Sequence, residues 1–308
     1  MSDETACQWV SSRGLLKSCD HRNRLPQSSN RHIDADLLDG LSPGNTVHVC
    51  SWLTITRFVK EFVPRLTHPI VMVTNDSDMD APIFEKPVGP GDEIAKEEIR
   101  AFLDSSMCIH WFTQNCTLLH PKVTPIPIGL DYHTYARRAS PFQQELLLNH
   151  LRTTAKPLGE RAPLCYGSFH FNMGGKYYTQ ERLDCYAQVP RELVFYEAQP
   201  IPREFSWRRQ LDYAFVLSPA GMGIDCHRTW EALVLGCIPI VRKMDVPHDG
   251  IYTDLPVLVV DRWSDVTRER LDATLVEFST RKFSTEKLTL AYWVAKIRDS
   301  FSARSLHN

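Results

Sequence analysis

The stretch FVLSPAGMGIDCHRTWEALVLGCIPIV, Phe215 to Val241, holds the residue types and spacing in this chain that are most suited to chemistry. It reads as strand, glycine-containing turn, helix and strand. Gly221 and Gly223 allow a sharp turn and a close backbone approach to a ligand. Amide groups at the start of the following helix then face the carboxyl edge of the sheet, where a phosphate binds well. Asp225 has the type and place of an N-cap. Arg228 and Glu231, three apart, share a helix face with Ile224 and Leu235. A cation one turn in suits a diphosphate, and a carboxylate one turn further suits ribose hydroxyls. The plainer alternative is an intrahelical Arg228–Glu231 salt bridge.

The elements that must position these residues alternate along the chain. The first forty or so residues show little periodicity and read as a loose arm, 1–44. Strand patterns follow at Thr46 to Trp52, Pro69 to Thr74, Met107 to Phe112 and Thr124 to Ile128. Helical patterns lie between and after them, at Thr54 to Leu66, Asp92 to Asp104 and Phe142 to Arg152, with a Pro/Gly-rich loop at Pro87 to Gly91. Linker composition at Thr154 to Ala162 places a boundary between domains 45–158 and 159–308. The second half repeats the pattern, with strands at Leu164 to Phe169, Glu192 to Tyr196, Phe215 to Leu217, Ile238 to Arg242 and Pro256 to Val260. Helices are expected at Thr179 to Gln188, Arg203 to Tyr213, Asp225 to Leu235, Arg268 to Ser279 and Thr285 to Ser300. Strands apolar throughout and separated by helices argue for an α/β protein with two Rossmann-like domains built on parallel sheets.

Composition bounds the function. The chain has 308 residues, 43% hydrophobic and 23% charged, which excludes wholesale disorder. Lys+Arg 35 against Asp+Glu 37 gives a formal charge of −2, which is neither a nucleic-acid footprint nor a polybasic membrane surface. Nine scattered cysteines without a CxxC pair indicate neither a disulfide framework nor a zinc site. The longest apolar run, Ala232 to Val241, is about half of a membrane span, and the opening MSDETACQWVSSRGLLKSC lacks an apolar leader core. A soluble, cytoplasmic protein is the expectation.

The Phe215 to Val241 segment, with LPVLVVDRWSDVT (Leu255 to Thr267), resembles the C-terminal part of exostosin-like glycosyltransferases, and is most similar to short soluble members from microbes and large viruses. WFTQN (Trp111 to Asn115) and IPIGLDYHT (Ile126 to Thr134) resemble that group too. The resemblance implies a GT-B fold, with two Rossmann-like domains facing across a cleft and the nucleotide sugar in the second. It implies inverting transfer from a UDP-sugar to a glycan acceptor, with no divalent metal or other cofactor. Ser218, Pro219, Gly221 and Gly223 would line the donor pocket, and Asp225, Cys226 and His227 would open the helix beneath the phosphates. Arg228 would contact the diphosphate and Glu231 the ribose. Many members carry a basic residue where this chain has Ala220; Arg182, Lys176 and Arg208 are candidates to supply that charge. The two closing helices would cross back onto the first domain.

Glycosyl transfer also needs a base for the acceptor hydroxyl. A carboxylate at the carboxyl end of a strand in the first domain is the expected place. Asp76, Asp78 and Asp80 follow one such strand and Asp131 another; Asp78 is favoured and Asp131 is second. Asn115 and Tyr132 are acceptor-side candidates. Glu231 has no second Glu eight residues on, Pro239 standing there, which favours inversion over retention. Three rival readings remain. Asp76-Ser77-Asp78 is a DxD of the kind that holds a metal in GT-A transferases. Gly221-x-Gly223 with Asp245 downstream is a partial dinucleotide-binding pattern, although Cys226 replaces its third glycine. A nucleotide-sugar or glycan-binding protein without turnover is the third. His110, Trp111 and His170 suit a sugar face or the core, and Trp207, Trp230 and Trp263 read as packing residues.

Overall fold

The structure, a computed structural model, describes residues 3–24, 32–50, 52–83, 95–171 and 178–305. It is an α/β protein of two compact units, each with its own parallel sheet. The first unit takes in Asp3–Ile128, Val246–Ile251 and the chain from Thr289 on; the second takes in Gly129–Asp245 and Tyr252–Leu288.

The first unit begins with α1 (Ser12–Lys17), whose N-cap Ser11 accepts a bond from the Gly14 amide. Its sheet is β1 (Thr46–Val49), β2 (Ile70–Thr74), β3 (Cys108–Thr113) and β4 (Val123–Pro125), in that spatial order and parallel throughout. Every residue of β1 and β2 is buried, as a sheet covered on both faces requires. α2 (Trp52–Arg57) runs into a π-helical turn, Phe58–Phe62, and α3 (Lys96–Asp104) follows β2. Ile55, Phe58, Met72, Ile99, Phe102 and Trp111 meet in one core.

The second unit opens with α4 (Pro141–Thr154), which starts in a Ser140–Gln143 capping box. It continues through β5 (Ala162–Gly167), α5 (Thr179–Gln188), β6 (Val194–Tyr196), α6 (Arg203–Gln210), β7 (Tyr213–Leu217), α7 (His227–Val234), β8 (Ile238–Arg242), β9 (Leu258–Val260) and α8 (Arg268–Thr280). The sheet order is β6-β5-β7-β8-β9, all parallel. After β5 the chain moves outward to β6 and then returns to the other side of β5. That reversal makes the carboxyl ends of β5 and β7 a topological switch point, where open α/β sheets leave a crevice for ligands. The chain closes with α9 (Leu290–Ser305), which packs on α1, β2 and β3 of the first unit.

The strands and helices lie near their expected places with ends that differ by up to several residues, and the helix expected at Thr54 to Leu66 breaks into α2 and a π-helical turn; three features of the domain organisation also differ. The described part of 1–44 is no loose arm. Trp9, Val10, Leu15 and Leu16 are buried, Trp9 bridges Thr289, and Gln8 accepts from the Leu290 amide. Residues 129–158, expected with the first domain, belong to the second unit because polar contacts bind them there. Asp131 pairs with Arg203, and Arg152 Nη1 donates to the Val234 carbonyl at 2.6 Å. Of the two closing helices, α9 returns to the first unit and α8 stays with the second. Residues 84–94 and 172–177, which include the Pro/Gly-rich loop, the first turn expected of the helix near α3, and Lys176, lie outside the described residues. No helix among the described residues is long and apolar enough to cross a membrane.

Candidate functional site

The elements that present the Phe215–Val241 segment are locally well determined. Ala214 to Leu217 of β7 are fully buried, and the Ser218 amide bonds the Ile240 carbonyl of neighbouring β8 at 2.9 Å, so the turn leaves the sheet at a fixed point. α7 is held at both ends. At its carboxyl end Gly236, at φ +72°, sits in the left-handed region, and the Gly236 and Cys237 amides bond the Leu233 and Ala232 carbonyls. Arg161 Nη2 donates to the Leu235 carbonyl, which places a cation at the negative helix end.

At its amino end Asp225 acts differently from the expected N-cap. Cys226 is the N-cap, without a side-chain capping bond. The Asp225 carboxylate, 2% exposed, accepts from Trp230 Nε1 at 2.8 Å, from the Cys226 amide at 2.9 Å and from the Tyr252 hydroxyl at 3.3 Å. It staples the turn to α7. Gly221 and Gly223 do not take positive φ. Gly221 is needed for closeness: a Cβ there would lie 2.6 Å from Arg182 Nη2 and 3.2 Å from Cys226 Sγ.

The intrahelical Arg228–Glu231 bridge does not form. Arg228 turns to the glycine turn, with Nη1 3.4 Å from Ser218 Oγ and 3.3 Å from the Pro219 carbonyl, and its guanidinium lies 5.5 Å over the Phe169 ring. Ser218 Oγ also bonds Thr229 Oγ1 at 2.8 Å. From α5, Arg182 reaches the same turn. It is 6% exposed, donates from Nη1 to the His170 carbonyl at 2.6 Å and sets Nε 3.4 Å from the Ala220 carbonyl. Burial, with the Arg228 guanidinium beside it, pushes Arg182 down to about 10. No carboxylate among the described residues pairs with Arg182 or Arg228. Two cations thus sit at the glycine turn of the β5/β7 switch point, with neutral oxygens, the Cys226 sulfur and the Phe169 ring as their partners. Of the replacements for a base at Ala220, Arg182 is at the turn, whereas Arg208 is an exposed residue of α6.

Glu231 points to a second cluster. Arg203 sets Nε 3.4 Å from Glu231 Oε1 and Nη2 2.6 Å from Asp131 Oδ2, and also donates to the Asp131 carbonyl. Asp131 Oδ1 accepts from the Thr134 amide at 3.0 Å and lies 3.2 Å from His133 Nδ1. His227 bonds the Gly129 carbonyl through Nδ1 at 2.7 Å. Burial disfavours the Asp131 charge, but His227, Arg203, His133 and the Thr134 amide outweigh it and hold its carboxyl well below the usual carboxylate range. A carboxylate so stabilised is a weak base. Tyr132 is buried with its hydroxyl donated to Glu145 at 3.0 Å, so it is a packing residue of the second unit and not an acceptor contact.

Asp131→Asn follows the sign of that pairing. The folded value lies below the ordinary 3.8, so the stabilisation is present above 3.8 and is lost as pH falls through and below it. The variant is expected to lose about 2 kcal/mol at neutral pH, with the difference from the parent shrinking below the ordinary carboxylate range. Denaturant titrations at several pH values measure it; a difference independent of pH would exclude the charge as the cause.

In the first unit, the acidic cluster after β2 divides. Asp76, at φ +59° and 3% exposed, accepts from Ser12 Oγ at 3.0 Å and faces Arg13 Nε at 3.5 Å. It fastens α1 to the sheet end. Asp80 is buried and Asp78 half-buried. Asn115, buried in a left-handed conformation, donates to the Ser77 carbonyl at 3.3 Å and so shapes that loop from within. Asp245, the acid of the dinucleotide pattern, has a side chain 77% exposed and pairs with Lys243. Trp111 is a core residue that donates to Thr74 Oγ1, and His110 bonds Thr124 Oγ1. His170 is exposed, while Trp207, Trp230 and Trp263 are buried, as packing requires. Among the described residues, no group of three or more His, Cys, Asp or Glu is placed to hold a metal ion.

Sequence reasoning missed Arg203, His133 and Phe169. None shares a motif with α7; Arg203 lies 28 residues before Glu231 in the sequence, and no local spacing links them. No family model matches the chain, and no curated protein matches it.

Proposed function

We propose that the chain is an inverting glycosyltransferase of the exostosin-like kind, with GT-B architecture, using a UDP-sugar. The observation that carries the reading is the pair Arg182 and Arg228, unmatched by any carboxylate of the described residues, at the glycine turn of the β5/β7 switch point. Buried cations without acidic partners are costly unless an anion meets them, and a diphosphate oxygen pair matches guanidinium geometry. In the transfer, the acceptor oxygen attacks the anomeric carbon as the bond from that carbon to the diphosphate oxygen breaks. Negative charge then grows on the leaving UDP, where Arg182 and Arg228 stabilise it. These two cations supply the charge compensation that a divalent metal gives in other transferases, so the reading is metal-independent.

Glu231, held by Arg203 through Oε1, would offer its other oxygen to the ribose. Asp78, half-buried after β2, is proposed as the base; Asp76 is tied to Ser12 and Arg13 and Asp131 to Arg203. The same ties weigh against the DxD reading, since Asp76 already spends its charge inside the fold.

The experiment is nucleoside diphosphate release from a panel of UDP- and GDP-sugars, with and without EDTA. EDTA-resistant release from one UDP-sugar is expected. Release abolished by EDTA would replace this mechanism with a metal-dependent one. Tight UDP binding without release from any donor, across a panel of glycan acceptors, would make the chain a binding protein.

A further inference from the structure

The second unit holds a cavity between α8 and the chain that leads into β9, and its described walls share no residue with the glycine turn. Its volume is about 340 Å³, within the range that small ligands occupy. The local structure explains the space. β9 is the edge of its sheet, so no further strand covers it. α8 gives Leu271 and Leu275 to the core that also holds Leu258, Val260 and Trp263. Arg270, Glu277 and Arg281, seven and four residues apart, lie in one row on the adjoining helix face. Ala273, beside that row, adds little volume. The floor is apolar: Leu255 and Leu258 are buried, and Phe278 packs against the same core. Tyr252 forms part of the wall, and its hydroxyl is held by Asp225 at 3.3 Å, which fixes that side in place.

The charges around this floor do not balance. Glu277 meets Arg281 at 3.7 Å, and Asp254 meets Lys287 at 3.7 Å. Arg281 also lies 4.8 Å over the Phe283 ring. Arg270 has no carboxylate within ion-pair distance among the described residues. It stands in the first turn of α8, where the helix dipole disfavours a cation and favours an anion. One guanidinium is left beside an apolar floor.

We infer that this cavity is a binding site for a small organic anion, a carboxylate carried on an apolar ring system. The carboxylate meets the Arg270 guanidinium, whose parallel N–H donors match its two oxygens. The ring system covers Leu255, Leu258 and Phe278 and removes their apolar surface from water. The site is independent of the nucleotide reading.

The test titrates the full chain with 2-naphthoate in a calorimeter, with 2-naphthamide as the uncharged match of the same shape. Naphthoate is expected to bind with a Kd below about 1 mM, and about tenfold more tightly than naphthamide. Arg270→Gln, at an exposed position, should remove that tenfold difference and leave naphthamide binding as it was. Ala273→Trp, also at an exposed position, fills the cavity and should abolish binding of both. Melting curves establish that each variant is folded. No naphthoate binding by the parent, equal affinity for the two ligands, or a naphthoate affinity unmoved in folded Arg270→Gln would each overturn the inference. Binding that survives in folded Ala273→Trp would place the ligand elsewhere and overturn it too. Saturating UDP should leave naphthoate binding unchanged, and displacement by UDP would overturn a separate site.

Discussion

Arg228→Ala is expected to keep its fold and bind UDP about thirtyfold more weakly, the loss of about 2 kcal/mol that follows removal of a charge-assisted diphosphate contact. The fold should survive because the side chain is only half-buried. Its contacts to Ser218 Oγ and the Pro219 carbonyl are long, at 3.4 and 3.3 Å, and Ser218 keeps Thr229 as a partner. Removing Arg228 also relieves the repulsion that contributes to the lowered Arg182 value. Arg208→Ala, on an exposed face of α6, is the control and should leave UDP affinity unchanged. Titration calorimetry measures both. An unchanged affinity in Arg228→Ala, with an unaltered melting curve, would take the diphosphate role away from this residue.

The second large effect is on stability. Asp225→Ala removes the acceptor shared by Trp230 Nε1 and the Tyr252 hydroxyl, both in buried residues, and frees the Cys226 amide. Each buried donor left without a partner costs about 1–3 kcal/mol, so the variant is expected to lose about 3 kcal/mol or more. Asp225→Asn keeps one acceptor oxygen and should lose less. Denaturant unfolding reads the difference. A variant of parental stability with weakened UDP binding would return Asp225 to the role of a ligand contact.

These two residues show where the sequence was legible. Arg228 and the glycine turn stand out because strand, turn and helix are contiguous, so their spacing already implies a common edge. The same contiguity fixed nearly every strand and helix, because period-two and period-3.6 patterns are local. Asp225 was misread for a related reason: an acid before a helix has the type of an N-cap, but Trp230 and Tyr252, five and 27 residues away, claim its oxygens. The boundary near residue 158 was misplaced because linker composition at Thr154 to Ala162 is a local signal. The contacts that decide membership, Asp131 with Arg203 and Arg152 with Val234, span 72 and 82 residues.

The sequence by itself determined the α/β class, the alternation of elements and the candidate turn, since each depends on neighbours within a few residues. Only the tertiary structure decided the partners of charge. It joined Glu231 and Asp131 through Arg203, tied Asp76 to α1 and left Arg182 beside Arg228 without an acid. Coulomb interactions act through space, and which charges meet in a low-dielectric crevice depends on helix packing. Spacing along the chain does not carry that information.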